Sequence, residues 1–306
     1  MDVSDIEMLE TIVKQGSVNR AAEQLNVTQS TLSKRLSRLE DRLGVTLFHR
    51  HPSGLTPTEA SRYLIAEGQS LKGRLTAMSR HLQLMKDLKV GELRLGVGPI
   101  VEQLFFPDVL LRLSELTDHL PVSVSTDRPE FLLQQLREGA VDLVVGPFNR
   151  ASVADDLYYQ EIMHEANIAV ARAEHPLLQD LPQWWPEDTS DVEFSALLRQ
   201  HNIPTVLPNI PAAMEAQFPD GYYRPTIRCE NYHTAKQLVL RSDYATAGPR
   251  SLFVDELAAG TLVQLPVAVP VEWTAAMVAL PENQTAPLIR ATMELFRELA
   301  APFHQK

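Results

Sequence analysis

The apolar positions of residues 1–57 follow helical spacing in three short stretches. The first has an apolar residue at every third position and ends at a glycine: Ile6, Leu9, Ile12 and Gly16. Ser17 and Thr28 suit the N-cap positions of a second and a third helix, because a side-chain hydroxyl accepts a hydrogen bond from an unpaired N–H group there. Gly44 closes the third helix, whose inner face carries four leucines: Leu32, Leu36, Leu39 and Leu43. The pattern predicts three helices around a small core.

A hairpin and a long helix are predicted next. Pro52 and Gly54 indicate a tight turn in segment 50–57. Residues 58–88 lack proline, and their apolar residues follow a seven-residue repeat: Leu64, Leu71, Leu75, Met78, Leu82 and Met85. Such a seam is typical of a helix that pairs with another helix, although docking on its own domain is an alternative. Gly68 and Gly73 weaken it by about 1 kcal/mol each relative to alanine.

From Gly91 onward, apolar strands alternate with amphipathic helices, which is typical of an α/β fold. The predicted strands are 92–97, 122–125, 141–146, 168–171, 205–207, 226–229, 245–247 and 274–280. The predicted helices are 101–116, 130–138, 192–200, 232–241 and 286–299. The pattern favours two α/β lobes with crossings near Asn167 and Pro266.

Composition and charge divide the chain in the same way. The net charge of the chain is -11. Residues 1–90 hold 13 Lys+Arg and 10 Asp+Glu, which gives a charge of +3. Residues 91–306 hold 15 Lys+Arg and 29 Asp+Glu, which gives a charge of -14. A small cationic part therefore precedes a large acidic one, which points to a polyanionic partner for the first part alone. One cysteine, Cys229, excludes a disulfide framework within the chain. The acidic start and the lack of a long apolar run predict a cytoplasmic protein without membrane contact.

The outer face of the third helix carries the chemistry of DNA recognition. Gln, Ser and Lys side chains can bond base edges in the major groove, and this face offers Gln29, Ser30, Ser33 and Lys34. Arg35, Arg38 and, in the hairpin, Arg50 are predicted to contact phosphates. Ser17, Arg20 and Thr28 complete the predicted DNA-binding set. The alternative is a solvated polar face on a small helical bundle.

The same segment resembles the N-terminal module of the LysR-type transcriptional regulators. The resemblance lies in seven stretches: 8–10, 16–25, 27–33, 39–40, 43–45, 47–50 and 55–60. It implies an all-α winged helix-turn-helix DNA-binding domain at 1–58 and a dimerising linker helix at 59–90. A two-lobed, periplasmic-binding-protein-like α/β effector domain follows at 91–306, with lobe I at about 91–166 and 267–306 and lobe II at about 167–266. It also implies homotetramers on promoter DNA, with RNA polymerase as a further candidate partner.

The effector site is expected between the lobes, at the carboxyl ends of strands. Three strand ends supply candidates: Gly98, Pro99, Ile100 and Val101, then Arg128, then Pro147 and Phe148. The resemblance adds Asn167, Thr205 and His233. The family often has Ser or Thr where this chain has Gly98, which keeps only a backbone N–H and a helix N-terminus for a carboxylate effector.

Other functions remain open at this point. The sequence carries no complete nucleotide-binding, metal or nucleophile motif, so we predict no cofactor, no metal, no catalytic residue and no enzymatic activity. One alternative is a constitutive DNA-binding regulator without an effector. Another is a DNA-binding head fused to a solute-binding or enzymatic α/β domain.

Overall fold

The computed structural model describes residues 1–51, 54–84, 92–117, 120–179, 198, 201–208, 225–269 and 271–303. The chain divides into two compact units. The first unit comprises Met1–Arg80 together with Arg137–Ala140, and the second comprises His81–Leu136 and Val141–Lys306. The boundary thus falls inside the long helix, and no local pattern predicts that segment 137–140 joins the first unit.

The first unit begins with three helices, α1 (Val3–Gln15), α2 (Val18–Gln24) and α3 (Gln29–Leu43). Gly16 and Gly44 end α1 and α3 in the left-handed conformation, with φ of 61° and 69°, as the sequence predicts. A hairpin of β1 (Phe48–His51) and β2 (Gly54–Pro57) follows, with Phe48 opposite Pro57. The core is made of apolar residues from all these elements: Met8, Leu9, Ile12, Ala21, Ala22, Leu32, Leu36, Leu39, Leu47 and Phe48.

The long helix α4 (Glu59–Leu84) packs on this core only through its first turns, where Leu64 and Ile65 lie against it. The two glycines that weaken α4 permit close approaches. A Cβ atom on Gly68 would lie 2.3 Å from Cγ2 of Ile6, and one on Gly73 would lie 2.1 Å from the carbonyl oxygen of Glu138. Backbone and side chain therefore approach α4 at distances that only glycine allows.

The second unit is built on a seven-stranded mixed sheet. Its strands are β3 (Leu93–Val97), β4 (Val122–Thr126), β5 (Leu143–Gly146), β6 (Tyr158–Arg172), β9 (Thr246–Pro249), β10 (Leu262–Gln264) and β11 (Glu272–Ala279). The order is β10-β6-β11-β5-β3-β4, and β9 also pairs with β6. Strand β3 runs parallel to β4 and β5, whereas β11 runs antiparallel to β5 and β6.

Strand β6 passes through both halves of this sheet. Up to Ala166 it pairs with β11, and from Asn167 it pairs with β9. The sequence predicts a strand only at 168–171, whereas β6 begins ten residues earlier, at Tyr158. Ile162 and Met163 are both buried in the added part, where a bulge shifts the register with β11.

The remaining elements cover the sheet. They are α5 (Pro99–Leu104), α6 (Phe106–Leu116), α7 (Pro129–Arg137), α8 (Tyr232–Leu240), α9 (Val254–Ala258) and α10 (Pro287–Ala300), with a two-stranded parallel pair, β7 (Val206–Leu207) and β8 (Ile227–Arg228). The predicted helix 192–200 lies almost wholly outside the described residues. One buried cluster joins Val97 and Val101 to Val206, Tyr232 and Val239, so a continuous core supports both lobes.

Two sequence predictions were wrong in detail. The single helix predicted at 101–116 is divided at Phe105, whose φ of -143° is not helical. Pro107, in the first turn of α6, has no N–H to donate to the previous turn, and its ring prevents a continuous helix. In addition, Leu43 is 37% exposed, whereas Leu36 on the same helix is 2% exposed, so the inner face of α3 stops at Leu39.

This difference predicts unequal costs for two leucine truncations. Leu36→Ala should lower the free energy of unfolding of the first unit by about 2–5 kcal/mol, because it leaves a cavity. Leu43→Ala, the matched control, should change it by less than about 0.5 kcal/mol. Native-state hydrogen exchange of the α1–α3 amides in the full chain measures both. Equal costs would contradict the assignment of the core face.

Candidate functional site

The outer face of α3 is open to solvent at its N-terminal end. Thr28 caps the helix, with its hydroxyl accepting a hydrogen bond from the N–H of Thr31 at 3.2 Å. Gln29, Ser30 and Lys34 are exposed, and Ser33 is half-buried. All four are side chains that the sequence predicts to reach base edges, and the first turn of the helix contains no acidic residue.

Three further residues of the predicted set are Arg38, on α3, and Ser17 and Arg20, at the start of α2. Lys34, Arg38 and Arg20 are exposed, and none of them forms an ion pair with another described residue. Ser17 occupies the predicted N-cap of α2, but its side chain makes no capping hydrogen bond. These positions leave the cationic groups available to an external anion.

The guanidinium of Arg35 forms an ion pair with Asp5 and is not free. Its Nε and Nη2 atoms donate to Oδ1 of Asp5 at 3.0 and 2.9 Å, and Nη2 also donates to Oγ of Ser4 at 2.5 Å. Arg42 donates to the other oxygen of Asp5 at 2.8 Å. The phosphate role predicted for Arg35 stays a prediction, and in this structure its guanidinium is already bound to a carboxylate.

Asp5 is a buried carboxylate on the inner face of α1, with only 5% of its surface exposed. Burial by itself raises the pKa of this carboxyl, but the hydrogen bonds from Arg35 and from the backbone N–H of Asp2 outweigh burial and lower the pKa below its usual range. Asp5 is therefore ionised at neutral pH and fixes one flank of α3 against α1.

Glu40 fixes the other flank of α3. Its Oε1 accepts hydrogen bonds from the backbone N–H groups of Leu47 (2.7 Å) and Phe48 (3.4 Å) at the start of the hairpin. Two carboxylates thus hold α3 between α1 and β1. Neither role was predicted from the sequence. The available signal was a charged residue, Asp5, four positions before Leu9 on an apolar helix face.

The hairpin is attached to the helices by main-chain bonds. The N–H of Leu55 donates to the carbonyl oxygen of Gly16 (3.2 Å), and the N–H of Thr58 donates to the carbonyl oxygen of Leu47 (3.0 Å). Arg50 lies in β1, and its side chain is outside the described part. The backbone alone therefore places this predicted phosphate contact on the hairpin.

In the second unit, the first predicted strand end lies where the two lobes meet. Helix α5, which starts after Gly98, contacts both α8 and the turn Arg250–Phe253 of the second lobe. A Cβ atom on Gly98 would lie 2.8 Å from Cδ of Pro147, so these two predicted residues are adjacent. His233 is exposed in the first turn of α8.

The backbone N–H of Gly98 is not free to bind a carboxylate. It donates to the carbonyl of Val145 at 2.8 Å, and Pro99, the next residue, has no N–H group. This corrects the expectation that Gly98 offers its N–H group in place of a hydroxyl. It follows that α5 can present unpaired donors only from the positions after Pro99.

The side chains of three other predicted residues are buried in the core. Ile100, Val101 and Phe148 are 8%, 0% and 1% exposed, so only their backbones could line a cleft. Arg128 is different, because its guanidinium is half-exposed, lies 3.6 Å from the Glu130 carboxylate and stacks over the Phe131 ring at 5.1 Å.

The crossing between the lobes contains polar groups that the fold does not fully satisfy. Nδ2 of Asn167 donates to the carbonyl of Val271 at 2.7 Å, whereas its Oδ1 is buried without a hydrogen-bond partner among the described residues. Elsewhere in the second lobe, where Thr205 pairs with Ala245, the buried hydroxyl of Thr205 also lacks a partner among the described residues. Unpaired buried polar groups are costly and require an explanation such as a bound molecule.

Glu165, two residues before Asn167, is a site residue that was not predicted from the sequence. Its carboxylate accepts hydrogen bonds from the hydroxyl and the N–H of Ser251, the latter at 3.2 Å. Burial raises the pKa of this carboxyl above its usual value, although the bonds from Ser251 act in the opposite direction. Glu165 thus links β6 to the turn Arg250–Phe253, and this turn contacts α5.

Metal-binding clusters and membrane-spanning helices are both missing from the described residues. No group of three or more His, Cys, Asp or Glu side chains among them is arranged to hold a metal ion. None of their helices is both long enough and apolar enough to span a membrane.

Comparison with known families matches both units. Residues 3–62 match the family model described as "Bacterial regulatory helix-turn-helix protein, lysR family", and residues 86–301 match "LysR substrate binding domain". The second match alone covers more than half of the chain. Together they confirm the resemblance and the fold class predicted from the sequence.

Individual relatives agree with these matches. The chain is 26% identical to the HTH-type transcriptional regulator YdcI of Escherichia coli (strain K12) over 266 residues, which cover 84% of this chain and 81% of that protein. ArgP from Mycobacterium tuberculosis has a similar structure, with a TM-score of 0.63, 18% identity and coverage of 99% of both chains. LysG from Corynebacterium glutamicum, solved with bound effector Arg, gives a TM-score of 0.59 and 17% identity, with coverage of 100% of both chains.

Proposed function

Because this chain belongs to the LysR family of bacterial transcriptional regulators, and is a DNA-binding regulator rather than an enzyme, we propose that α3 reads promoter DNA and that a small molecule bound between the lobes modulates its activity. The observation that carries the proposal is the open outer face of α3, with Gln29, Ser30 and Lys34 exposed beside a buried leucine face. An α-helix fits the major groove, which is about 12 Å wide.

The residues on and beside α3 divide into a set that contacts bases and a set that contacts phosphates. Gln29 and Ser33 are uncharged hydrogen-bonding side chains near the N-terminal end, and they select bases. Lys34, Arg38 and Arg20 are unpaired among the described residues and attract phosphates. Since promoter DNA is the target, we place the protein in the cytoplasm, with RNA polymerase as a candidate neighbour on the promoter.

We also propose that the chain dimerises through α4. The predicted seam is exposed in the single chain: Leu71 is 50%, Leu75 44% and Met78 64% exposed. Met85, the last residue of the seam, lies outside the described residues. A row of large apolar side chains at heptad spacing is stabilised when a second helix covers it, and a two-fold dimer presents two α3 helices to adjacent turns of the duplex.

A second exposed apolar surface supports a tetramer. Strand β4 is an edge of the large sheet. Beside it, between α6 and β4, lies a groove of about 480 Å³ lined by Leu110, Leu113, Ser114, Thr117, Leu120, Val122 and Val124. Leu111 and Leu116 are exposed on the same helix, at 63% and 49%. A second copy of the chain is the occupant we propose, because two distinct self-contacts are what a closed tetramer requires.

For the effector, we propose a small polar molecule between α5 and the second lobe. The unsatisfied Oδ1 of Asn167 lies where β6 exchanges its partner strands, and it can only accept a hydrogen bond. A ligand with a hydrogen-bond donor fits this group better than a simple carboxylate does, since the N–H of Gly98 is occupied. A ligand shifts the arrangement of the lobes only by its different affinity for the two arrangements.

The proposed roles in DNA binding predict different effects for substitutions at base-contacting and at phosphate-contacting residues. Gln29→Ala and Ser33→Ala should relax base preference, because a bidentate pair between a side chain and a base supplies about 1–3 kcal/mol of discrimination. Arg50→Ala should weaken binding to all duplexes alike and reduce the salt slope by about one unit. Footprinting on the DNA flanking its own gene, followed by titrations of operator and scrambled duplexes, measures both. The reverse assignment would show that another element enters the groove.

The two apolar surfaces predict stepwise disassembly. Leu111→Asp should convert a tetramer into a dimer, and Leu75→Asp with Met78→Asp should prevent pairing of α4, because a charge is costly to bury in such interfaces. Val254→Asp is the control, since Val254 is 50% exposed on α9 and outside both surfaces. Sedimentation equilibrium reports the masses, and an unchanged mass in every variant would refute both interfaces.

The effector proposal predicts a ligand-dependent stability. A ligand at about 100 times its Kd should stabilise the second unit by roughly 2.7 kcal/mol. A thermal-shift screen with amino acids, amines, sugars and carboxylic acids tests this on the full chain. Asn167→Ala, which removes the unpaired Oδ1, should abolish the shift without changing operator binding by the free protein. The absence of any stabilising compound would favour a constitutive regulator.

A further inference from the structure

The carboxylate of Asp5 bears on DNA binding as well as on the position of α3. We infer that Asp5 withholds Arg35 and Arg42 from DNA and thereby limits sequence-independent binding. This inference rests on the proposed role of α3 as the DNA-reading helix. It concerns the sequence-independent part of the affinity for DNA, which the choice of base contacts does not determine.

The carboxylate of Asp5 is fully occupied by the two arginines and by its own helix. Oδ1 accepts from Nε and Nη2 of Arg35, and Oδ2 accepts from Nη2 of Arg42 and from the backbone N–H of Asp2. Asp2 adds a second acceptor for Arg35 at 3.3 Å. Charge-assisted hydrogen bonds of this kind are about twice as strong as neutral ones, so a phosphate must compete with them.

Both arginines nevertheless lie where DNA could reach them. They are seven residues apart, two turns and about 10 Å along the helix axis, so they share one flank of α3. Their side chains are 40% and 55% exposed, whereas that of Asp5 is 7% exposed. The guanidinium groups are therefore accessible from solvent, while the carboxylate that binds them is covered.

The four cations of α3 thus fall into two pairs. Lys34 and Arg38 form no ion pair with a described residue, while Arg35 and Arg42 are bound to Asp5. Each phosphate neutralised by a protein cation contributes affinity for any sequence, and it contributes to the salt dependence with a slope of about 0.9. Sequestering two cations therefore lowers the affinity for every duplex, non-operator DNA included, without removing a base contact.

The test is Asp5→Asn in the full chain, titrated with a duplex of scrambled sequence, about 30 base pairs long, between about 50 and 200 mM salt. Release of both arginines should steepen the slope of log K against log salt by about 1.8. The affinity ratio of variant to wild type should then grow about tenfold from the high to the low salt concentration. Operator DNA should gain affinity by the same factor, because phosphate contacts do not depend on sequence.

Two matched variants separate sequestration from a structural role. Adding Arg35→Gln and Arg42→Gln to Asp5→Asn should restore the wild-type salt slope, because the released cations are gone. Asp5→Glu retains the charge and should keep the wild-type slope. If Asp5→Asn weakens operator and scrambled DNA equally with an unchanged slope, Asp5 only supports the fold and the inference is overturned.

A third variant keeps the question decidable if Asp5→Asn does not fold. Arg35→Gln keeps Asp5 paired with Arg42, and it should leave the salt slope unchanged because Arg35 is sequestered. The matched control, Arg38→Gln, removes an exposed cation of the same helix and should flatten the slope by about 0.9. A slope that Arg35→Gln flattens as much as Arg38→Gln does overturns the inference. Failure of the proposed function would look different, since wild-type protein would then bind operator and scrambled duplexes with equal affinity in the same titrations.

Discussion

The position of α3 is the constraint on which the function of this chain depends. Its leucines bury one face against α1 and α2, and two carboxylates, Asp5 and Glu40, fix its flanks against α1 and the hairpin. A groove-reading helix has to present its side chains within a fraction of an ångström, and side chains held by packing and hydrogen bonds achieve this more readily than mobile ones. The polar outer face can therefore vary in sequence while its geometry is preserved.

The second unit has a different physical requirement, because it has to respond to a ligand without losing its core. Strand β6 runs unbroken through both lobes, and the buried cluster around Val101 and Tyr232 is shared between them. One connection between the lobes is the segment where β6 exchanges β11 for β9, at Asn167. The unpaired Oδ1 of Asn167 and the fastened Glu165 lie in this same segment.

Charge explains how an acidic protein can bind an acidic polymer. The net charge of the second part repels DNA, so attraction depends on a few cations around α3. Within that small set, internal pairing matters as much as number. A chain that used every arginine for phosphate would bind all duplexes, whereas one that pairs some of them internally relies more on base contacts.

The sequence by itself determined the order of elements and the face of α3 that meets solvent. Helical spacing, capping residues and glycine stops are local features, and they located α1, α2, α3 and the hairpin nearly to the residue. Alternation of strands and helices likewise indicated the α/β class of the second part. The same pattern favoured two lobes with crossings near Asn167 and Pro266, and the resemblance to a known family added the domain bounds and three candidate effector residues.

Only the tertiary structure decided which polar groups already form hydrogen bonds within the chain. Arg35 and Gly98 looked available in the sequence, but Asp5 binds the first and the carbonyl of Val145 accepts from the second. Both partners are distant along the chain, by 30 residues for Asp5 and 47 for Val145. Local patterns record which groups can form hydrogen bonds, whereas the partner depends on which segments the fold brings together.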